Sequence, residues 1–299
     1  MKCLRLSFVL YVCISAFCCS AEKLSVCAGL SPVAHIIREG GGDRVSVTSM
    51  LPEGRSPHDY APGTRELRVA VKAKCFFTTG MLYEQRITRA IEKKVPVIDI
   101  SSGIKRIALR TDGQDHHGHR HSHHCGLDHH GCSGDSKSGD PHIWLSPLNC
   151  ALMGQCAAVE LGKLMPQFKK EFQARADRFS MKMRKIHENM AKRLAPFKGK
   201  SFFVYHPAFG YIASLYHLKQ KAIELGGREA TPTRMAAVIR EARQQGVKTV
   251  FVQKQFHPAS AKALANAIRG EVVELDPLAG DVEKNFLILT DALVKGFSN

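Results

Sequence analysis

Tryptophan is nearly missing from this chain: Trp144 stands alone among 299 residues, and aromatic residues make up only 7 %. Also absent is any aromatic-studded basic motif, so the net charge of +16 does not point to nucleic acid. Basic character suits equally a protein that works beside anionic envelope surfaces. No His-Glu-x-x-His pair occurs, and no serine or cysteine nucleophile has a visible partner, which argues against an enzyme. The apolar stretch Leu6 to Cys19 is too short to span a bilayer comfortably. No cysteine lies beyond Cys156, and no repeat relates the two halves of the chain.

What is present begins with an export signal. Lys2 and Arg5 form a short positive start, the apolar stretch follows, and Cys19-Ser20-Ala21 supplies a small-x-small cleavage site. Residues 1–21 are therefore expected to be a signal peptide, and the protein periplasmic or otherwise extracytoplasmic, with a lipid anchor at Cys18 or Cys19 as the alternative. The mature chain keeps Cys27, Cys75, Cys125, Cys132, Cys150 and Cys156, whose spacing fixes no pairing. A 44 % hydrophobic content fits a soluble protein with a real core.

Histidine is concentrated to an unusual degree. His116, His117, His119, His121, His123, His124, His129 and His130 fall within fifteen residues, interleaved with Gly, Ser and Asp. Neutral imidazole is a common ligand for divalent transition metals, and such a tract has no apolar face with which to pack. It reads as a loop over residues 111–139 that offers auxiliary metal ligands, against the plain alternative of a solvated linker.

Around that loop, strand and helix patterns alternate. Leu24 to Ala28, Arg44 to Met50, Lys74 to Thr79 and Val95 to Ile100 read as strands, with helices over Ser31 to Glu39 and Leu82 to Lys93. The loop Pro52 to Tyr60 follows the second strand. Leu148 to Leu164 is helical, and Pro166 opens a segment that runs unbroken to Pro196. Its apolar residues Phe168, Phe172, Phe179, Met183, Ile186, Met190 and Leu194 recur at helical spacing opposite a charged side. Beyond it, strands are expected at Lys200 to Tyr205, Lys221 to Glu224, Lys248 to Gln253 and Glu271 to Leu275, with helices at Pro207 to Tyr216, Thr231 to Gln245, His257 to Arg269 and Asp281 to Phe297. The expected fold is α/β: two lobes, each a mostly parallel sheet flanked by helices, joined by one long spine helix. The boundaries are 22–165 for the N-terminal lobe, 166–196 for the spine and 197–299 for the C-terminal lobe.

In open α/β sheets, ligands gather in the crevice beyond the carboxyl ends of the strands. His206 follows the strand ending at Tyr205, and Asp276 follows the strand ending at Leu275, so both emerge at that edge. His58 reaches the same edge of the first lobe through a longer loop, and His142 follows the histidine tract. Asp59 and Asp140 are candidates, by proximity, to accept a hydrogen bond from the other N–H of a ligating imidazole, although Asp140 before Pro141 also reads as a plain turn residue.

At these residues the chain resembles the metal-capturing solute-binding proteins of zinc and manganese ABC transporters. The resemblance rests on Leu51 to Tyr60, Asp140-Pro-His142-Ile-Trp-Leu-Ser-Pro147, Val204 to Tyr211, Gln253 to Phe256 and Glu274 to Leu278, and extends over residues 24–299. It implies two lobes on a spine helix, with metal between them held by His58, His142, His206 and either Asp276 or water. It further implies Zn2+, since His206 stands where manganese-preferring members tend to carry Glu and a His-rich loop precedes the second ligand; Mn2+ or Fe2+ is the alternative within the family. The implied partners are a membrane permease and an ATPase, the implied state a monomer. Two features depart from some zinc members: Pro57 takes the place of an acid before the first histidine, and no cysteine pair exists in the second lobe. Outside this family, three histidines and an aspartate suit a zinc-dependent hydrolase, and the tract alone suits a metal buffer.

Overall fold

Proline, glycine and β-branched residues punctuate the chain into short strands and longer helices, and the computed structural model follows that punctuation. It describes residues 23–108, 139–224, 229–256 and 259–298. The expected signal peptide, the histidine tract, Cys125 and Cys132 lie outside the described residues.

In the first lobe, β1 (Leu24–Ala28), β2 (Val45–Ser49), β3 (Phe76–Thr78) and β4 (Val97–Asp99) form one parallel sheet in the order β2-β1-β3-β4. In the second, β5 (Ser201–Val204), β6 (Lys219–Ala222), β7 (Thr249–Gln253) and β8 (Glu271–Leu275) repeat the plan as β6-β5-β7-β8, again all parallel. The two halves therefore share a topology that no sequence repeat betrays. Parallel sheets need crossover connections and cover on both faces. Helices supply it: α1 (Ser31–Gly41), α2 (Thr64–Lys72), α3 (Leu82–Ile91) and α4 (Pro147–Leu164) in the first half, with α6 (Gly210–Leu215), α7 (Pro232–Gln244), α8 (Ala259–Ala267) and α9 (Val282–Ser298) in the second. No helix among the described residues is long and apolar enough to cross a membrane.

The spine is α5 (Lys169–Leu194), extended by single 3-10 turns at Pro166–Phe168 and Ala195–Phe197. Its 26 α-helical residues span roughly 40 Å. Phe172, Phe179, Met183, Met190 and Leu194 are buried, while Phe168 and Ile186 pack against the core half-covered, so the apolar stripe read from the sequence is the face that packs. Burying each phenylalanine contributes about 2–3 kcal/mol. Gly154 on α4 makes room for Phe179, since a Cβ there would fall 2.9 Å from the ring. One continuous core runs from Val26 and Phe76 through the spine to Phe202, Phe251 and Leu275, so both lobes rest on the same apolar mass. A second core, including Phe203, Ile223, Val250 and Leu264, covers the other side of the C-terminal sheet.

Two elements differ from the sequence expectation. Helix α2 was not anticipated: in Thr64–Lys72 only Ala70 is buried, so no apolar stripe advertises it. Its start carries the legible sign, a Gly63 amide donating to the Glu66 carboxylate at 2.9 Å. Strand β6 sits two residues earlier than expected, at Lys219–Ala222, because Gln220 and Ala222 are the residues that face inward. That shift frees Glu224 from the strand and leaves it at the carboxyl edge.

Among the described residues, Cys27, Cys75, Cys150 and Cys156 are free thiols. Burial pushes the Cys27 thiol up to about 11 and that of Cys75 up to about 12, so neither is a ready nucleophile.

Candidate metal centre

The residues from Asp140 to Pro147 have separable tasks. The Asp140 carboxylate accepts from the His142 amide at 2.9 Å, which closes a tight turn, and the same oxygen meets His142 Nδ1 at 2.7 Å. Asp140 is thus both turn residue and imidazole partner, reconciling its two readings. Ile143–Leu145 form a 3-10 turn, Ser146 caps α4 by accepting from the Asn149 amide, and Pro147 occupies the first helical position. Trp144 is buried, with its ring centroid 5.6 Å from that of His142, and its indole N–H donates to the Pro277 carbonyl of the other lobe at 2.7 Å. The Tyr211 hydroxyl reaches back across the divide to the Asp140 carbonyl at 3.0 Å. Gly210 is required beside it, since a Cβ there would fall 2.4 Å from the Asp140 carboxylate.

His206 leaves the end of β5 and is held on three sides. Gln253, at the end of β7, accepts from its amide at 3.0 Å and donates to its carbonyl at 2.5 Å. Glu224 meets its Nδ1 at 2.7 Å, and Phe256 stacks on the ring at 5.1 Å. Burial lowers the basicity of His206, against the raising effect of the Glu224 carboxylate. His58 comes from the loop after β2, where its amide donates to the Ser56 hydroxyl. The residue is solvent-exposed, yet its Nε2 faces the other two rings. Desolvation of the ring where it meets the cluster, reinforced by repulsion from His206 and His142, lowers its pKa to about 2.

The three rings converge. His142 Nε2 lies 3.2 Å from His58 Nε2 and 3.3 Å from His206 Nε2, and the ligand atoms of all three fall within 4.8 Å of one another. A carboxylate only accepts, so Asp140 and Glu224 keep the protons of His142 and His206 on Nδ1 and leave the Nε2 lone pairs aimed inward. The cavity at the junction measures about 10 Å3, about the room that one water or ion takes. Pro57, Trp144, Phe256, Pro277 and Leu278 contribute apolar walls.

Of the residues singled out from sequence, His58, His142 and His206 are brought together, and Asp140 stands behind His142. Asp59 is exposed. Asp276 is not in the cluster: one carboxylate oxygen accepts from the Gln255 side chain at 2.7 Å and from the Leu278 amide at 2.9 Å. Gln255 lines the cavity, and its side-chain oxygen is buried without a partner. Glu224 was missed altogether, read as the last residue of a strand. An acid closing an apolar strand at the carboxyl edge was the available signal.

A pair of like-wound parallel lobes, mounted on one spine helix and meeting at a three-imidazole cluster, defines a class of two-lobed binding protein. The family described as zinc-uptake complex component A, periplasmic (ZnuA), matches residues 26–297, and the chain belongs to it. Its similarity to the zinc-binding protein AdcA of Streptococcus pyogenes serotype M3 is 26 % identity over 272 residues, covering 88 % of this chain and 52 % of that protein. The chain thus spans about half the length of the AdcA proteins it matches. A crystal structure of ZnuA superposes with a TM-score of 0.80 at 24 % identity, covering 92 % of this chain and 99 % of that one. A ZnuA deletion mutant with zinc bound gives 0.79 at 25 % identity, with coverage of 92 % and 98 %.

Proposed function

We propose that the protein is an extracytoplasmic solute-binding protein that captures Zn2+ between its lobes and delivers it to an ABC importer. The observation that carries this is the imidazole geometry. Zinc bound at about 2.0–2.1 Å in tetrahedral array sets its nitrogen ligands about 3.3 Å apart. The two Nε2 separations here are 3.2 and 3.3 Å. Three nitrogen donors suit zinc over manganese, which favours harder oxygen ligands. In this reading His58 and His142 come from the first lobe and His206 from the second. The fourth position falls to water or to Asp276, which would first have to exchange its hydrogen bond from Gln255. The similarity to zinc-uptake component ZnuA and to the zinc-binding protein AdcA supports the same cargo.

A cavity of about 10 Å3 lined by three imidazoles suits capture of a single ion. Residues 1–21 act as the export signal, 22–165 and 197–299 as the two lobes, and 166–196 as the spine. The partners are a membrane permease with its ATPase, and the capture protein itself acts as a monomer. The histidine tract, His116 to His130, serves as an auxiliary collector. Metal analysis of protein purified without added metal, followed by Zn2+ against Mn2+ competition, tests the proposal. Zinc retained against excess manganese is expected; a manganese preference would overturn it.

A further inference from the structure

A second convergence of metal-ligating side chains lies away from the cavity, where the first helix of the N-terminal lobe meets the last helix of the chain. His35 and Glu39 are four residues apart on α1, and so share one face. Glu283 projects from the first turn of α9. One ligand atom from each falls within 4.8 Å of the other two. None of the three lines the three-histidine cavity. His35 Nε2 is buried and has no hydrogen-bond partner, an unmet need in a half-buried imidazole. The two carboxylates face each other across Lys182 of the spine, whose ammonium lies 3.3 Å from Glu39 and 3.0 Å from Glu283. Their side chains are 33 % and 27 % exposed and that of Lys182 is 51 % exposed, so an ion has a path from solvent and the lysine has room to swing out.

We propose that His35, Glu39 and Glu283 form a second divalent-cation site, for zinc-class metals, in which the metal displaces the Lys182 ammonium. The lysine already marks the place as one that holds a cation. It pairs with both carboxylates, while the His35 Nε2 beside them has no hydrogen-bond partner. A transition metal uses all three donors at once, and a mixed nitrogen and oxygen set accepts Zn2+ without selecting strongly against its neighbours. A divalent ion here ties α1 to α9 more tightly than a half-exposed lysine, whose ion pairs contribute little. Competition from Lys182 makes this site weaker than the three-histidine cluster. Its filling therefore reports metal excess, stiffening the junction of the two halves when zinc is abundant.

Crystals of the full chain soaked in zinc, with diffraction recorded across the zinc absorption edge, test both clusters in one map. The expected result is an anomalous peak at bonding distance, about 2.0–2.2 Å, from His35, Glu39 and Glu283, with Lys182 moved aside. Lys182→Met should show the same peak at about tenfold lower zinc, the loss of two half-exposed ion pairs being worth about that factor. His35→Ala should lose it. In solution, zinc should raise the Tm of Lys182→Met by more than it raises that of the Lys182→Met/His35→Ala double variant. No peak at saturating zinc in either the wild type or Lys182→Met would overturn the site, as would a peak of equal height in His35→Ala. The separate peak at His58, His142 and His206 reads out the zinc-capture proposal independently, so either can fail while the other stands.

Discussion

The imidazoles of the candidate centre are held in two contrasting ways. His142 and His206 are buried, and each presents Nδ1 to a carboxylate at 2.7 Å. His58 is exposed, rides on a loop, and has no carboxylate on its Nδ1 among the described residues; its amide donates to Ser56, and its ring meets the other two imidazoles. In the proposed zinc site the contrast would separate two preset donors, buried His142 and His206, one from each lobe, from a third donor, His58, carried on an exposed loop. A continuous core lies beneath both lobes, so metal capture is expected to shift them only slightly, with local ordering of the loops around His58 and His206. Scattering curves of metal-free and zinc-loaded protein that differed by a large compaction would contradict this.

The largest effect should come from removing a preset donor. His142→Ala or His206→Ala is expected to weaken zinc binding on the order of a hundredfold or more, because a bound structural zinc gains several kcal/mol per ligand. His58→Ala should cost less than either, while still exceeding the replacement of any one tract histidine. Competition with a chelator of known affinity ranks them; an equal loss at all three positions would erase the distinction between preset and loop-borne ligands.

Next in size are the carboxylates. Asp140→Asn and Glu224→Gln should each weaken zinc about 10–100-fold while leaving far-UV circular dichroism unchanged, since they orient the rings without ligating. Loss of the fold in both variants, with no intact protein to titrate, would mean that the acids serve the core instead.

Acid should expose the same contrast between the cluster and free imidazole. His58 titrates near 2 and His206 below its usual range, so both stay neutral in the folded apoprotein where unfolded imidazole, near 6.5, takes up a proton. The folded state then binds fewer protons than the unfolded one, and stability rises with pH through this window. The contribution is complete above about 6.5 and is lost as pH falls below it. Zinc held by the cluster should accordingly persist to lower pH than zinc held by the tract, a difference that titrations at pH 7.5 and 5.5 would reveal.

Smaller effects concern reporters and additions. Zinc should change the emission of Trp144 by its edge contact with His142, and no other indole contributes. Unchanged emission at saturation would count against His142 as a ligand. Deleting residues 115–139 should remove weaker zinc equivalents and leave one tight site, as calorimetry can count. Loss of the tight site would place primary ligands in the tract.

Much of this was legible beforehand because the signals are local. The spine announces itself through a 3.6-residue apolar rhythm, the parallel strands through short apolar runs, and His206 through its place directly after a strand. Helix α2, with a single buried residue, had no such rhythm to show. Residue chemistry by itself pointed to imidazoles as the candidate metal ligands and offered Asp59 and Asp140 alike as their carboxylate partners, with a plain turn role equally open to Asp140. Tertiary structure decided what local spacing cannot encode. His58 and His142 are 84 residues apart, and His142 and His206 are 64 apart, yet their Nε2 atoms meet within 3.3 Å. Glu224 became the partner of His206 because β6 pairs beside β5, bringing an acid 18 residues distant to its Nδ1. Asp276, equally well placed along the chain, turned toward Gln255 and the Leu278 amide. Strand order and lobe packing choose among acids that look alike in one dimension, since a hydrogen bond depends on separation in space and a sequence records only separation along the chain.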